Sequence, residues 1–170
     1  QALSIFPEQK YENEGGLGLT QCFNLIKQYS SNPTRDTKEL IFWTIYNYLI
    51  GNADAHAKNI SLLLYPNKIE LAPFYDLLST SVYAEIDNKM AMKIGGENRP
   101  NWIQERHWER FANSINIKSK ILFNYIDRLA EEIIPTAEIL AKNFKHPIIE
   151  KIINIIRLRV KKCLVKCSSN

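Results

Sequence analysis

The sequence predicts a single α+β domain over residues 1–170, mainly α-helical, with small β-hairpins and a C-terminal helical bundle. Apolar residues recur at helical spacing in the first and last parts of the chain, whereas short β-rich runs around turn residues occupy its middle. No internal repeat, low-complexity segment or linker divides the sequence. With 45% hydrophobic residues, a chain of this length can bury one ordinary core.

The N-terminal part of the sequence predicts an irregular segment followed by two helices. One proline and three glycines make residues 4–18 irregular, and residues 20–29 have the pattern of a short amphipathic helix. The next helix is expected to be capped by Asp36 or Thr37 and to end at Gly51. Because it is apolar on nearly every face, we expect it to be buried and to fix the following loop against the core.

The middle of the chain predicts two β-hairpins. Residues 60–65 and 69–71 are β-rich runs on either side of the turn residues 66–68. A second pair, residues 81–86 and 89–94, surrounds an Asp-Asn turn and is followed by two glycines. Folding of the first hairpin would bring its two flanks to the same end, so residues distant in sequence could share one ion.

The last part of the chain predicts three helices that pack as a bundle. They cover residues 102–115, residues 119–144 with an interruption or kink near Pro135, and residues 147–167. Their apolar stripes are interpreted as core positions rather than as a groove for a partner.

The composition excludes several classes of protein. A net charge of +4 with both signs interspersed is too small to indicate nucleic acid as the partner, and the basic residues near the C-terminus are interpreted as a solvated helix face. Three cysteines without a CxxC pair indicate a reducing compartment, which predicts the cytoplasm. No run is apolar enough for a membrane span. Since the chain starts at Gln1 without a methionine, we expect a piece of a longer protein.

The run GNADAHAKN, which begins at Gly51, carries the strongest functional signal. Asp54 is followed five residues later by Asn59, and Asp76 comes after the first predicted hairpin. Phosphoryl-transfer enzymes use an aspartate as proton acceptor, an asparagine five positions on as a magnesium ligand, and a later aspartate as a second ligand. Each residue alone would suit a turn or a cap. Their order and spacing together predict a kinase active site.

Two neighbours in the same loop have possible roles. Lys58 could stabilise the charge of the γ-phosphate, and His56 could position the loop or contact the nucleotide. The other two histidines are interpreted as structural or solvated.

Four segments of the sequence resemble one family. GNADAHAKNISLL, LAPFYDLLST, KMAMKIGG and RHWERFA, in this order, are similar to the C-terminal lobe of HipA-type serine/threonine kinase toxins, and the opening QALSIFPEQKYENEGGLGL resembles the segment that precedes that lobe. The resemblance implies a protein-kinase-like C-terminal lobe with a catalytic loop. It also implies roles for individual residues: Asp54 as proton acceptor, Asn59 and Asp76 as magnesium ligands, and an ATP site lined by His56, Ala57, Lys58, Asn59, Tyr75 and Asp76.

The resemblance further implies a biological setting. Such a protein would be the toxin of a bacterial toxin–antitoxin system, would use ATP and Mg²⁺, and would phosphorylate a serine or threonine of a translation-related protein, an aminoacyl-tRNA synthetase in this family. Growth arrest and persistence would follow. The implied partners are a helix-turn-helix antitoxin, through which alone DNA would be contacted, and in split systems a small HipS-like antitoxin.

One departure from a complete kinase is important. The sequence contains neither a glycine-rich phosphate loop between a strand and a helix nor a convincing strand lysine for the α- and β-phosphates. Lys93 lies in a predicted strand, but the resemblance places it in the wrong lobe. We therefore expect the N-terminal, ATP-clamping lobe to lie in another part of the longer protein, and these residues alone to be inactive.

Two alternatives to an active kinase have different sequence signals. A metal-dependent phosphoesterase could use the pair Asp54 and His56, although such a site needs several further ligands. A catalytically silent, kinase-like binding module is the second alternative. It has no need to keep Asp54, Asn59 and Asp76 together.

Overall fold

A computed structural model describes residues 11–144 and 146–164, and it confirms the mainly helical α+β class. Four short 3₁₀ turns, five helices and one antiparallel pair of strands form this part of the chain. The helices are Leu19–Tyr29 (α1), Pro33–Ile50 (α2), Glu105–Ser114 (α3), Ser119–Ala141 (α4) and Pro147–Leu164 (α5), and the strands are Leu62–Tyr65 (β1) and Lys68–Leu71 (β2).

Helix α2 forms the centre of the core. Eleven of its 18 residues are buried, and it packs against α1, α4 and α5. Gly51 ends the helix as predicted, with a φ of 74° that favours glycine. A Cβ at this glycine would also lie 2.8 Å from the side chain of Ile155 in α5. The loop after α2 therefore starts from a fixed point.

The predicted start of α2 is wrong by one turn. The helix begins at Pro33, and the side chain of Asn32 caps it by accepting a hydrogen bond from the Arg35 N–H at 3.2 Å. Proline suits the first helical position because that position needs no N–H donor. Asp36 and Thr37 lie inside the helix and are buried.

Asp36 instead links three elements. Its Oδ2 accepts hydrogen bonds from Ser30 Oγ at 2.7 Å and from the backbone N–H of Leu71 in β2 at 2.8 Å, while Oδ1 accepts from Arg35 Nε at 2.9 Å. Burial opposes ionisation of this carboxyl, but the three donors outweigh burial and hold the pKa of Asp36 below its ordinary value. The carboxylate thus ties the α1–α2 connection to the hairpin.

The first predicted hairpin is confirmed. β1 and β2 pair with Leu62 opposite Leu71 and Tyr65 opposite Lys68, which leaves a two-residue turn. Ser31 anchors the second strand: its N–H donates to the Ile69 carbonyl at 2.8 Å, and its Oγ accepts from the Ile69 N–H at 2.9 Å. The position of the hairpin is therefore set by the start of α2 rather than by burial of its own side chains.

The second predicted hairpin, over residues 81–94, is wrong. The described residues contain one sheet only, and this segment has a 3₁₀ turn, loops and a single bridge instead of two strands. Its backbone groups pair elsewhere: the Met90 N–H donates to the carbonyl of Asn98 at 2.8 Å, and the Ala91 N–H donates to the carbonyl of Ala53 at 2.9 Å. The apolar run is therefore a segment that docks on the loop after α2.

The C-terminal helices agree with the prediction in type and differ at their ends. A 3₁₀ turn at Pro100–Trp102 precedes α3, which begins three residues later than predicted. Helix α4 continues through Pro135 without interruption and ends at Ala141. Helix α5 is described to Leu164, and its predicted last residues lie outside the described part of the chain.

One basic residue of α5 differs from the predicted solvated face. Arg159 is buried, with its guanidinium 5.1 Å from the ring centre of Tyr48 in α2. Within the described ranges, no helix is both long and apolar enough to span a bilayer.

We predict that Asp36→Asn lowers the free energy of unfolding by about 1–3 kcal/mol at pH 7, because an amide cannot accept from all three donors. Since the pKa of Asp36 is lowered by folding, its contribution is present above the ordinary carboxyl pKa of about 4 and is lost as the pH falls through the lowered value. The difference in the free energy of unfolding between Asp36→Asn and the wild type should therefore become smaller as the pH falls through the lowered pKa of Asp36.

Urea denaturation at several pH values measures this difference. Glu39→Gln is the matched control, because Glu39 is exposed on the same helix. Equal stability of the two variants at pH 7 would show that Asp36 does not tie the elements together.

Candidate active site

The loop after α2 is held by a buried pair of asparagines. The Asn52 N–H donates to the carbonyl of Asn47 at 2.9 Å, and Asn52 Nδ2 donates to Asn47 Oδ1 at 2.8 Å. The same Nδ2 donates to the backbone carbonyl of Asp76 at 3.0 Å, while Asn52 Oδ1 accepts the N–H of Asp54 at 3.1 Å. Both asparagines are at most 6% exposed. One amide therefore positions both the predicted base, Asp54, and the predicted metal ligand, Asp76, relative to the end of α2.

The two side chains predicted as metal ligands are in contact. Asn59 Nδ2 donates to Asp76 Oδ2 at 2.9 Å, although 17 residues and the whole hairpin separate them. Asn59 Oδ1 accepts the backbone N–H of His56 at 3.0 Å. A carboxylate on one side and an N–H donor on the other determine the orientation of the amide. The predicted meeting of the hairpin flanks is confirmed, whereas the role of the two residues as ligands stays a prediction.

Asp76 adopts an uncommon backbone conformation. Its φ of 59° lies in the left-handed region, which costs a non-glycine residue roughly 1 kcal/mol and is tolerated best by Asn and Asp. Two contacts fix this segment: the hydrogen bond from Asn52 to the carbonyl of Asp76, and packing of Phe74, two residues earlier, on Trp43 of α2, with ring centres 5.7 Å apart. Such conformations persist where surrounding structure fixes them, often at functional sites.

Asp54 lies at the edge of the same loop and is half-buried. The preceding Ala53 is fixed by its N–H, which donates to Thr80 Oγ1 at 2.8 Å. The carboxylate Oδ1 of Asp54 accepts a hydrogen bond from the hydroxyl of Tyr11 at 2.9 Å. Sequence reasoning did not single out Tyr11 or Asn52 as site residues. Only their membership in the family-like segments KYENEGG and GNADAHAKN could have indicated them.

The remaining predicted site residues surround this centre. A 3₁₀ turn covers Ala57 to Asn59, and the imidazole of His56 before it is buried. Lys58 is exposed, and its carbonyl accepts the hydroxyl of Tyr75 at 2.9 Å. Tyr75 itself is 54% exposed. The structure thus gathers these residues at one end of the hairpin, with Lys58 and Tyr75 facing solvent and His56 turned into the protein.

The donor set suits magnesium rather than a metal held by protein ligands alone. Asn59 and Asp76 offer an amide oxygen and a carboxylate, the hard oxygen ligands that Mg²⁺ prefers, and Mg²⁺ commonly takes only one or two carboxylates plus waters and phosphates. Among the described residues, no group of three or more His, Cys, Asp or Glu side chains could hold a metal ion.

An open groove lies beside the site but is separate from it. It has a volume of about 440 Å³ and runs between α2 and α4. Phe74 and Leu77 form its edge towards Asp76, but Asp54, Asn59 and Asp76 do not line it. The candidate residues therefore lie outside this groove.

Comparisons with known proteins identify the relatives of this chain. The model of the HipA-like C-terminal domain family matches residues 1–137. The chain is 37% identical over 142 residues to the protein Y4mE of Sinorhizobium fredii, and 31% identical over 144 residues to the serine/threonine-protein kinase toxin HipA of Shewanella oneidensis. These alignments cover 84% and 78% of this chain, and 33% of each relative. The chain thus spans about a third of the length of these curated relatives.

A solved structure supports the same relationship. The HipA chain in a complex of Shewanella oneidensis HipA, HipB and operator DNA superposes with a TM-score of 0.84 at 26% identity, over 94% of this chain and 41% of that one. The kinase-like fold is therefore shared over nearly the whole chain.

We predict that Asn52→Asp destabilises the protein by about 2–4 kcal/mol at neutral pH. The substitution keeps the acceptor for the Asp54 N–H but turns the donor to Asn47 and Asp76 into a buried carboxylate oxygen. The loss of stability should be smaller in acid, where the protonated carboxyl of the introduced aspartate can donate one hydrogen bond. Chemical denaturation measures it against Asn24→Asp, an exposed position on α1. A loss no larger than that of the control would contradict the role of Asn52.

Proposed function

The chain belongs to the HipA-like C-terminal domain family, and on that premise we propose that it is the lobe of a serine/threonine protein kinase toxin that carries the proton acceptor and the magnesium ligands. The observation that carries this proposal is the hydrogen bond between Asn59 and Asp76, because it joins the two predicted ligands across the hairpin. Asp54 lies on the same loop, held by Asn52, which also binds Asp76.

In the proposed reaction, the hydroxyl oxygen of a substrate serine or threonine attacks the γ-phosphorus of ATP, and the carboxylate of Asp54 accepts the proton of that hydroxyl. The bond between the γ-phosphorus and the bridging oxygen breaks, and ADP leaves. Asn59 Oδ1 and the carboxylate of Asp76 would hold magnesium, which when bound neutralises charge on the phosphates. Lys58, exposed beside Asn59, would add positive charge near the γ-phosphate.

His56, Ala57 and Tyr75 complete the proposed ATP-facing surface in different ways. The backbone N–H of His56 orients Asn59, and the hydroxyl of Tyr75 fixes the carbonyl of Lys58. Ala57 begins the 3₁₀ turn that presents Lys58. These contacts support a positioning role for His56 and Tyr75, with the nucleotide facing the exposed side of the turn.

The partners and the substrate are proposed from the family resemblance. We propose that the whole protein acts in the bacterial cytoplasm on an aminoacyl-tRNA synthetase and causes growth arrest, as the family resemblance implies. A relative is named a kinase toxin, and the superposed HipA chain is in a complex with HipB and operator DNA. This supports an antitoxin of the HipB type as partner. We further propose that DNA is contacted only through that antitoxin, as the family resemblance implies.

We predict that two aspartate substitutions in the full-length protein have separable effects. Asp54→Ala should lower kcat by about 10²–10⁴-fold, the usual contribution of a positioned base, and leave binding of Mg²⁺-ATP unchanged. Asp76→Ala should weaken binding of Mg²⁺-ATP at least about tenfold, because it removes a charged ligand. Phosphoryl transfer and calorimetric titration measure the two effects.

Asp87→Ala is the control, because Asp87 is an exposed loop aspartate outside the site. Near-normal transfer by Asp54→Ala would remove this residue as the base. Unchanged nucleotide binding by Asp76→Ala, together with absent transfer in the wild type, would favour the silent binding module.

We also predict that residues 1–170 alone do not transfer phosphate, whereas the full-length protein does. The proposed lobe carries the base and metal ligands, and the groups that clamp the ATP phosphates in kinases would come from the rest of the longer protein. Transfer to a protein substrate and ATP hydrolysis should both be measured for the two forms. Robust transfer by residues 1–170 would show that this lobe is sufficient.

A further inference from the structure

The hydrogen bond between Tyr11 and Asp54 joins the segment before α1 to the candidate base. The tyrosine hydroxyl donates to Asp54 Oδ1 at 2.9 Å, and 43 residues separate the two in sequence. We propose that Tyr11 is a positioning residue that orients the Asp54 carboxylate for proton acceptance. The inference rests on the proposed kinase function.

The backbone of Tyr11 is fixed by a tight turn. Its carbonyl accepts two hydrogen bonds, from the N–H of Glu14 and the N–H of Gly16, both at 2.9 Å. Gly15 between these donors has a φ of 90°, which makes the turn possible. The tyrosine therefore projects from a closed turn rather than from an extended tail.

The turn is docked on the segment that also supports the catalytic loop. The Glu12 N–H donates to the carbonyl of Ala91 at 2.9 Å, and Glu12 Oε2 accepts the N–H of Lys93 at 2.7 Å. The N–H of the same Ala91, which is 3% exposed, donates to the carbonyl of Ala53 at 2.9 Å. Residue 91 thus connects the turn that bears the tyrosine with the residue immediately before the candidate base.

The Asp54 residue is consequently held from two sides. Asn52 Oδ1 accepts its backbone N–H, and Tyr11 donates to its Oδ1. A hydrogen bond to an ionised acceptor is stronger than one between neutral groups, and it limits rotation of the carboxylate. Orientation of a reacting group contributes strongly to rate, and small displacements are costly.

Tyr11→Phe in the full-length protein tests the inference, because it removes only the hydroxyl. We expect kcat to fall about tenfold or more with the KM for ATP unchanged, while loss of one hydrogen bond lowers the melting temperature by only a few degrees and leaves the protein folded at the assay temperature. Tyr29→Phe is the matched control, since Tyr29 is 49% exposed at the end of α1. A second variant, Glu12→Ala, removes the acceptor for Lys93 and should lower kcat in the same way by loosening the turn.

A double variant separates positioning from a general structural effect. In an Asp54→Asn background, Tyr11→Phe should cause little further loss of the residual rate, because both changes affect one unit. Losses that multiply would contradict the inference, as would a Tyr11→Phe rate equal to that of the control, a higher rate, or a fall in kcat that is fully explained by loss of folded protein at the assay temperature. Absence of transfer by the wild-type protein would instead overturn the proposed function.

Discussion

The buried side-chain amide of Asn52 is the interaction on which the candidate site depends. Its nitrogen donates to the end of α2 and to the backbone carbonyl of Asp76, and its oxygen accepts the N–H of Asp54. Because a buried amide costs free energy unless its groups are paired, each of these contacts also stabilises the others. The spacing of the two aspartates is therefore set by one side chain in the core rather than by the flexible surface of the loop.

A second buried group fixes the other end of the same scaffold. Asp36, near the start of α2, binds the N–H of Leu71 at the end of β2. Asp76 follows Leu71 by five residues, and its backbone carbonyl accepts a hydrogen bond from Asn52, just after the end of α2. Helix α2 thus fixes both the end of the hairpin, near its own start, and the position of Asp76, near its own end. A site mounted in this way keeps its geometry without large burial of the hairpin, in which Leu64 is 75% exposed.

Local chemistry made part of this arrangement predictable. The glycine at position 51, the turn between β1 and β2, and the order of Asp54, Asn59 and Asp76 are signals carried by neighbouring residues. The wrong predictions, of the α2 cap and of the second hairpin, have a common cause: contacts with residues distant in sequence decide the structure at both places. A polar residue near a helix start predicts a cap, but Asp36 finds tertiary partners. The run at residues 81–94 has strand composition, but its backbone bonds lie with other segments.

Tyr11 and Asn52 were not predicted as site residues because their roles also depend on contacts between distant parts of the chain. Tyr11 becomes part of the site only when a turn before α1 docks beside Ala91, and no spacing rule connects it with Asp54. Asn52 lies inside the recognised motif, but its role depends on Asn47, five residues earlier in α2, and on the backbone carbonyl of Asp76 beyond the hairpin. Both contacts exist only in the folded chain.

The proposed function requires Asn59 and Asp76 to hold the metal and Asp54 to act as the base. Anomalous diffraction from crystals of the full-length protein, with Mn²⁺ in place of Mg²⁺ and a non-hydrolysable ATP analogue, tests it directly. The predicted result is a manganese peak within about 2 Å of Asn59 Oδ1 and of the Asp76 carboxylate, the distance of hard-oxygen coordination. Bound nucleotide with no peak at these atoms, or a peak coordinated by Asp54, would contradict the assignment.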